Sequence, residues 1–169
     1  MANQCDECGF DWTTSALDGI RLIGLFPDRV ESIARGAGDR VNQRPDPDVW
    51  SPNEYIWHMV DLFHMFGEWL HMTRTLDHPT HAPLDSDALA AVRGYANRPF
   101  STGLWALRDS IASFIQEAAI ADLNSLVEYQ GWRDVTAAEV IGFAAHEVAH
   151  HAFDLERALQ SPGAPAATG

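Results

Sequence analysis

Apolar residues recur every three or four positions through most of this chain, the spacing that lines up one face of an α-helix. The first such stripe runs from Trp12 to about Ala37 through Leu17, Ile20, Ile23, Val30 and Ile33, with Pro27 expected to kink or split the helix. The second has a defined start: Ser51 as N-cap, Pro52 in the first helical position and Glu54 closing a capping box. Tyr55, His58, Leu62, Met65 and Trp69 then repeat along one face to about Leu76, where Asp77-His78-Pro79 stops the pattern. Residues 77–100 read as loop with a short helix near Asp85–Tyr95. Ser101 is expected to cap a third long helix with the stripe Leu104, Leu107, Ile111, Phe114 and Ala118. After a turn at Gly131, Thr136 and Glu139 form a second capping box. It opens a fourth long helix whose stripe is Phe143, His146, His150, Phe153 and Arg157 and which ends near Gln160. Four long helices and no convincing strand predict an all-α four-helix bundle, one domain over residues 1–160 with 161–169 as a disordered tail.

The second helix is apolar beyond its stripe, with Ile56, Trp57, Met59, Val60, Phe63 and Phe66 adding another face. A helix apolar nearly all round is central or covered by a partner, and a homodimer is therefore expected. The 169 residues, 46% of them hydrophobic, suffice for one core. No apolar run reaches the ~18–20 residues of a membrane span, and the polar start does not read as a signal peptide, so a cytoplasmic protein is expected. A net charge of −13 repels a phosphate backbone and argues against nucleic acid as a partner. All eleven basic residues are arginine, which with the abundant alanine suggests a GC-rich genome.

All three of His58, His146 and His150 interrupt core stripes. His146 and His150 are one helical turn apart and share a face. A third imidazole from a neighbouring helix would complete three ligands and leave a coordination position open, as a working metal site requires. A shared ion also meets the cost of burying three polar rings. Two other metal readings use the same residues. His146-Glu147-Val148-Ala149-His150 matches the H-E-x-x-H signature of zinc peptidases, with Glu147 as general base. Only 19 residues follow, however, and Phe153 and Glu156 stand where the metzincin Gly and His would be. Glu68-x-x-His71 and Glu147-x-x-His150, with Glu31 and Glu117, could instead build a di-iron site, though Asp61, His64, Glu68 and His71 lie on a polar face. Cys5 and Cys8 stand without a second cysteine pair. Half a zinc knuckle, a labile disulfide and an inert turn all remain open for them. His78 and His81 fall in a Pro-punctuated loop and read as surface. His151 points about 100° from the ligand face, with no role assigned.

The run Trp50-Ser51-Pro52-Asn53-Glu54-Tyr55, then His58 and Asp61, then His146-Glu147-x-x-His150-His151-x-x-Asp154, resembles the DinB-like family. It is most similar to the actinobacterial branch that opens with Cys-x-x-Cys-Gly-Phe, here Cys5 to Phe10. The resemblance spans nearly the whole chain and implies a four-helix bundle with a histidine triad holding a divalent metal, zinc or nickel. By motif position those ligands fall on His58, His146 and His150. Relatives include thiol S-transferases that use bacillithiol or mycothiol and mycothiol-dependent maleylpyruvate isomerase, and the metal is thought to activate the thiol. The branch's arginine before the second-helix aspartate is Val60 here, and a basic residue further along is His64, which points to a different cosubstrate. The expectation is a metal-dependent enzyme acting on a low-molecular-weight thiol and an electrophile, with Glu147 as proton carrier and Asp61 and Asp154 as supporting polar groups. A non-catalytic metal-binding stress or sensor protein, or a hydrolase built on H-E-x-x-H, are the alternatives.

Overall fold

A computed structural model describes residues 3–82 and 84–160. The residues read as a C-terminal tail lie outside the described ones. The described residues form five α-helices: α1 (Ala16–Ala34), α2 (Pro52–Thr75), α3 (Ser86–Arg93), α4 (Phe100–Ile120) and α5 (Ala137–Gln160). The four long ones make the bundle. α4 and α5 each pack against both α1 and α2, so α1 and α2 lie on a diagonal although they follow one another in the chain.

Local chemistry sets the helix ends. Ser15 caps α1, accepting from the Asp18 amide at 3.2 Å. Pro27 sits inside α1 without splitting it. At the start of α2 the Ser51 amide donates to Glu54 Oε2 at 2.9 Å while the Glu54 amide donates to Ser51 Oγ at 3.3 Å, the reciprocal capping box. The Thr136–Glu139 box repeats this at α5. α4 differs from expectation: it begins at Phe100, after Pro99, with no side-chain cap, and Ser101 lies within its first turn.

The second difference is a sheet. β1 (Thr80–His81) pairs in parallel with β2 (Leu126–Tyr129), which pairs antiparallel with β3 (Arg133–Thr136). Val127 and Val135 are cross-strand partners and fully buried. The hairpin bends at Gly131, whose φ of +81° suits glycine. Strands of four residues or fewer carry too few alternations for periodicity to register, so the sequence pattern shows no strand here.

The core centres on α2. Ile56, Trp57, Met59, Val60, Phe63 and Phe66 are all buried within the chain, so the apolar breadth of this helix is accounted for without a partner copy. Among the described residues no helix is long and apolar enough to cross a membrane.

Candidate metal centre

The chemistry gathers on two successive turns of α5, His146-Glu147-Val148-Ala149-His150-His151. This hexapeptide holds two i, i+4 pairs offset by one residue. Each pair shares a face, and the two faces diverge by about 100°. They therefore meet different neighbours.

Glu147 and His151 meet His58 on α2. The three place one ligating atom each within 4.8 Å of one another. His151 Nε2 lies 3.1 Å from Glu147 Oε2, and the His58 and His151 rings meet edge to face at 5.1 Å. His58 Nδ1 is buried without a hydrogen-bond partner. Asp154 Oδ2, 3.0 Å from His151 Nδ1, fixes that ring from behind. Burial pushes His58 down to about 4, helped by repulsion from His151, so its ring is neutral at pH 7. Burial works the same way on His151, but the Asp154 and Glu147 carboxylates outweigh it and raise the ring to about 9. Burial would raise the Glu147 carboxyl, but hydrogen bonds from His146 and His151 hold it well below the usual range.

His146 and His150 turn the other way, toward the N-terminal segment. With Cys5 and Cys8 they form a second group of four donor atoms, again all within 4.8 Å. Both cysteines are free thiols. The Cys8 amide, the His146 ring and the Glu7 amide together lower the Cys5 thiol to about 6, whereas burial raises Cys8.

The expected triad of His58, His146 and His150 is thus divided. His58 is grouped with Glu147 and His151, because the face of α5 that looks at α2 carries 147 and 151. His151, without a role in the sequence reading, lies at the centre of that group. Its signal was present in the second i, i+4 pair and in Asp154 three residues on. Glu147, expected as a proton carrier, lies among the donor atoms of the first group. Asp61 belongs to neither group: its buried carboxylate accepts from the Tyr95 hydroxyl and pairs with Arg93 Nε at 3.1 Å. The di-iron arrangement is not assembled. Glu117 pairs with Arg74 and lies 3.5 Å from His71, while Glu31 pairs with Arg108 at 2.6 Å, on other faces of the bundle. His78 is bound to Asp134 at 3.1 Å, and His81, expected at the surface, is half-buried with its ring 3.9 Å from that of Trp69.

A cavity of about 460 Å³ opens beside the first group. Leu62, Met65, Phe66 and Trp69 of α2, Tyr129 and Trp132 of the hairpin, Phe143 of α5 and Trp12 line it, and His58, Glu147 and His146 also face it. An apolar chamber with a few converging polar groups is the usual form of a small-molecule site.

The model of the DinB superfamily matches residues 26–153 of this chain. Comparison with curated proteins finds no matching sequence. Among solved structures, the fold is similar to YfiT from Bacillus subtilis, a probable metal-dependent hydrolase with an unusual four-helix bundle topology. The TM-score is 0.78 over 86% of each chain, at 12% sequence identity.

Proposed function

This chain belongs to the DinB superfamily, and on that premise we propose that it is a metal-dependent enzyme that activates a low-molecular-weight thiol, such as mycothiol, toward an apolar electrophile. His58, Glu147 and His151 hold the ion in this reading. The observation that carries it is the donor set itself: two imidazoles and a carboxylate converging beside an apolar cavity, with His58 Nδ1 buried and unpartnered. Three protein ligands leave a coordination position for substrate. A divalent ion held there, zinc or nickel, would supply Lewis acidity, which favours the thiolate form of a thiol at neutral pH.

The residues prepare that position. His151 Nδ1 donates to Asp154, which leaves its Nε2 facing the donor set. His58, neutral at pH 7, offers a lone pair without first losing a proton. Leu62, Met65, Phe66 and Phe143 give the cavity an apolar wall that suits an apolar electrophile. Among the described lining residues, the carboxylate and both histidines belong to the two donor groups. That leaves no separate general base, which a thiol reaction tolerates better than water attack does.

Hydrolysis is the second reading. Two histidines and a glutamate also form the ligand set of hydrolytic zinc enzymes, and the similar YfiT fold is that of a probable metal-dependent hydrolase. The test is turnover by zinc- or nickel-loaded protein of an aryl halide with mycothiol and related thiols, beside ester hydrolysis without thiol. Thiol consumption that His58→Ala abolishes supports the proposal. Ester turnover without thiol selects the hydrolase, and neither activity leaves a metal-binding sensor.

A further inference from the structure

Residues 3–12 fold back on themselves. The Cys5 amide donates to the Phe10 carbonyl at 2.8 Å, the Gly9 amide to the Cys5 carbonyl at 2.9 Å and the Trp12 amide to the Asn3 carbonyl at 2.8 Å. Gly9 takes the left-handed conformation, φ +72°, that closes the turn after Cys8. This brings two thiols onto one side of a tight loop. Of the described residues in the segment, Phe10 alone is buried. Apolar packing therefore holds it to the bundle weakly.

What faces the thiols is the 146/150 side of α5. His146 Nε2 and His150 Nδ1 are both buried, and neither has a hydrogen-bond partner. Their other ring nitrogens face carboxylates: His146 Nδ1 lies 3.5 Å from Glu147 Oε1, and His150 Nε2 lies 3.3 Å from Glu7 Oε2. A carboxylate behind the ring is how metal-binding histidines are oriented and their tautomer set. Two unpaired imidazole nitrogens and two thiols within 4.8 Å match the chemistry of a structural zinc ion. Bond lengths of about 2.0–2.3 Å put tetrahedral donors roughly 3.3–3.8 Å apart, so modest side-chain rotation closes the site.

We propose that Cys5, Cys8, His146 and His150 form a second, closed zinc site that clamps the N-terminal loop onto α5. It is distinct from the His58–Glu147–His151 group and does not depend on the activity assigned there. Its four protein ligands make it structural. Its effect on the neighbouring chamber is direct, because Trp12 stacks on His146 at 4.5 Å and forms part of the cavity wall. Glu147 touches both groups, one oxygen toward His146 and the other toward His151.

The experiment uses the full chain purified under reducing conditions. Metal analysis should give two zinc equivalents per chain, with one lost in Cys5→Ser/Cys8→Ser and the other in His58→Ala. Cobalt-loaded protein should show thiolate-to-cobalt charge-transfer absorption and tetrahedral d–d bands. His58→Ala should keep the thiolate-to-cobalt band; the cysteine variant should lose it. Hydrogen exchange on the wild-type chain adds a readout that needs no variant: residues 3–12 should be protected with zinc and exposed after chelation. Cobalt binding without the thiolate band, zinc content unchanged in the cysteine variant, or a Cys5–Cys8 disulfide in the reduced preparation would each overturn the proposal.

Discussion

Replacing Glu147 with glutamine removes a negative charge and almost no volume, so it separates a ligand from a proton carrier. In the folded chain Oε2 lies 3.1 Å from His151 Nε2 and Oε1 3.5 Å from His146 Nδ1, and both imidazoles hold the carboxyl ionised. Loss of a group that merely orients a metal ligand typically weakens metal binding about 10–100-fold, or about 1.4–2.8 kcal/mol. Glu147 stands among the donors themselves, and a neutral amide is a poorer ligand than a carboxylate. Its replacement should therefore exceed the top of that range, weakening zinc by more than about 100-fold at the His58–Glu147–His151 group. The four-donor group loses only the partner behind His146 and should keep its ion. The assay is zinc competition against a chromophoric chelator, with metal analysis after dialysis and circular dichroism to confirm the fold. One equivalent should remain, and the cobalt–thiolate absorption should persist. A Glu147→Gln chain holding both ions at wild-type affinity refutes the ligand assignment; lower turnover in that chain would make Glu147 a proton carrier.

Tyr95→Phe leaves the buried Asp61 carboxylate without its hydroxyl donor and should cost about 1.5–3 kcal/mol, a fall in thermal midpoint of roughly 3–12 °C. Zinc content should not change; metal loss in this variant would bring Asp61 back toward the ion. Burial pushes the Glu54 carboxyl up, but Arg44 and Ser51 outweigh it and hold it below its ordinary range. That stabilisation is full above the unfolded value and lost as pH falls through the folded one, so the melting temperature should drop below about pH 4.3. Glu54→Gln should flatten this acid slope, and an unaltered slope would show that other carboxylates control it. Phe114, fully buried and edge to face with Phe63 at 5.4 Å, should cost about 3–5 kcal/mol on truncation to alanine. Denaturant unfolding measures this, and a cost under about 1 kcal/mol would mean that the α2–α4 seam collapses into the space.

Much of the scaffold is legible along the chain because helix ends are local events. Ser51 with Glu54, and Thr136 with Glu139, satisfy amides within three residues of themselves. The stripes on α2 and α5 likewise follow from periodicity, and the apolar surplus on α2 is buried within the chain. The 126–136 hairpin is less legible, because its pairing depends on Val127 meeting Val135 across Gly131 and on β1 arriving from more than forty residues upstream.

The amino-acid order by itself determined that His146, Glu147, His150 and His151 occupy successive turns of one helix, and that His58 lies on another helix's apolar stripe. Periodicity fixes which of these residues share a direction. It cannot say what lies in that direction, because the rotation of α5 about its axis is set by packing against α1 and α2. Tertiary structure turned the 147/151 face to His58 and left the 146/150 face to a loop some 140 residues away in sequence. A rotation of about 100°, one residue's worth of helix, is all that separates the expected triad from the two groups the fold assembles.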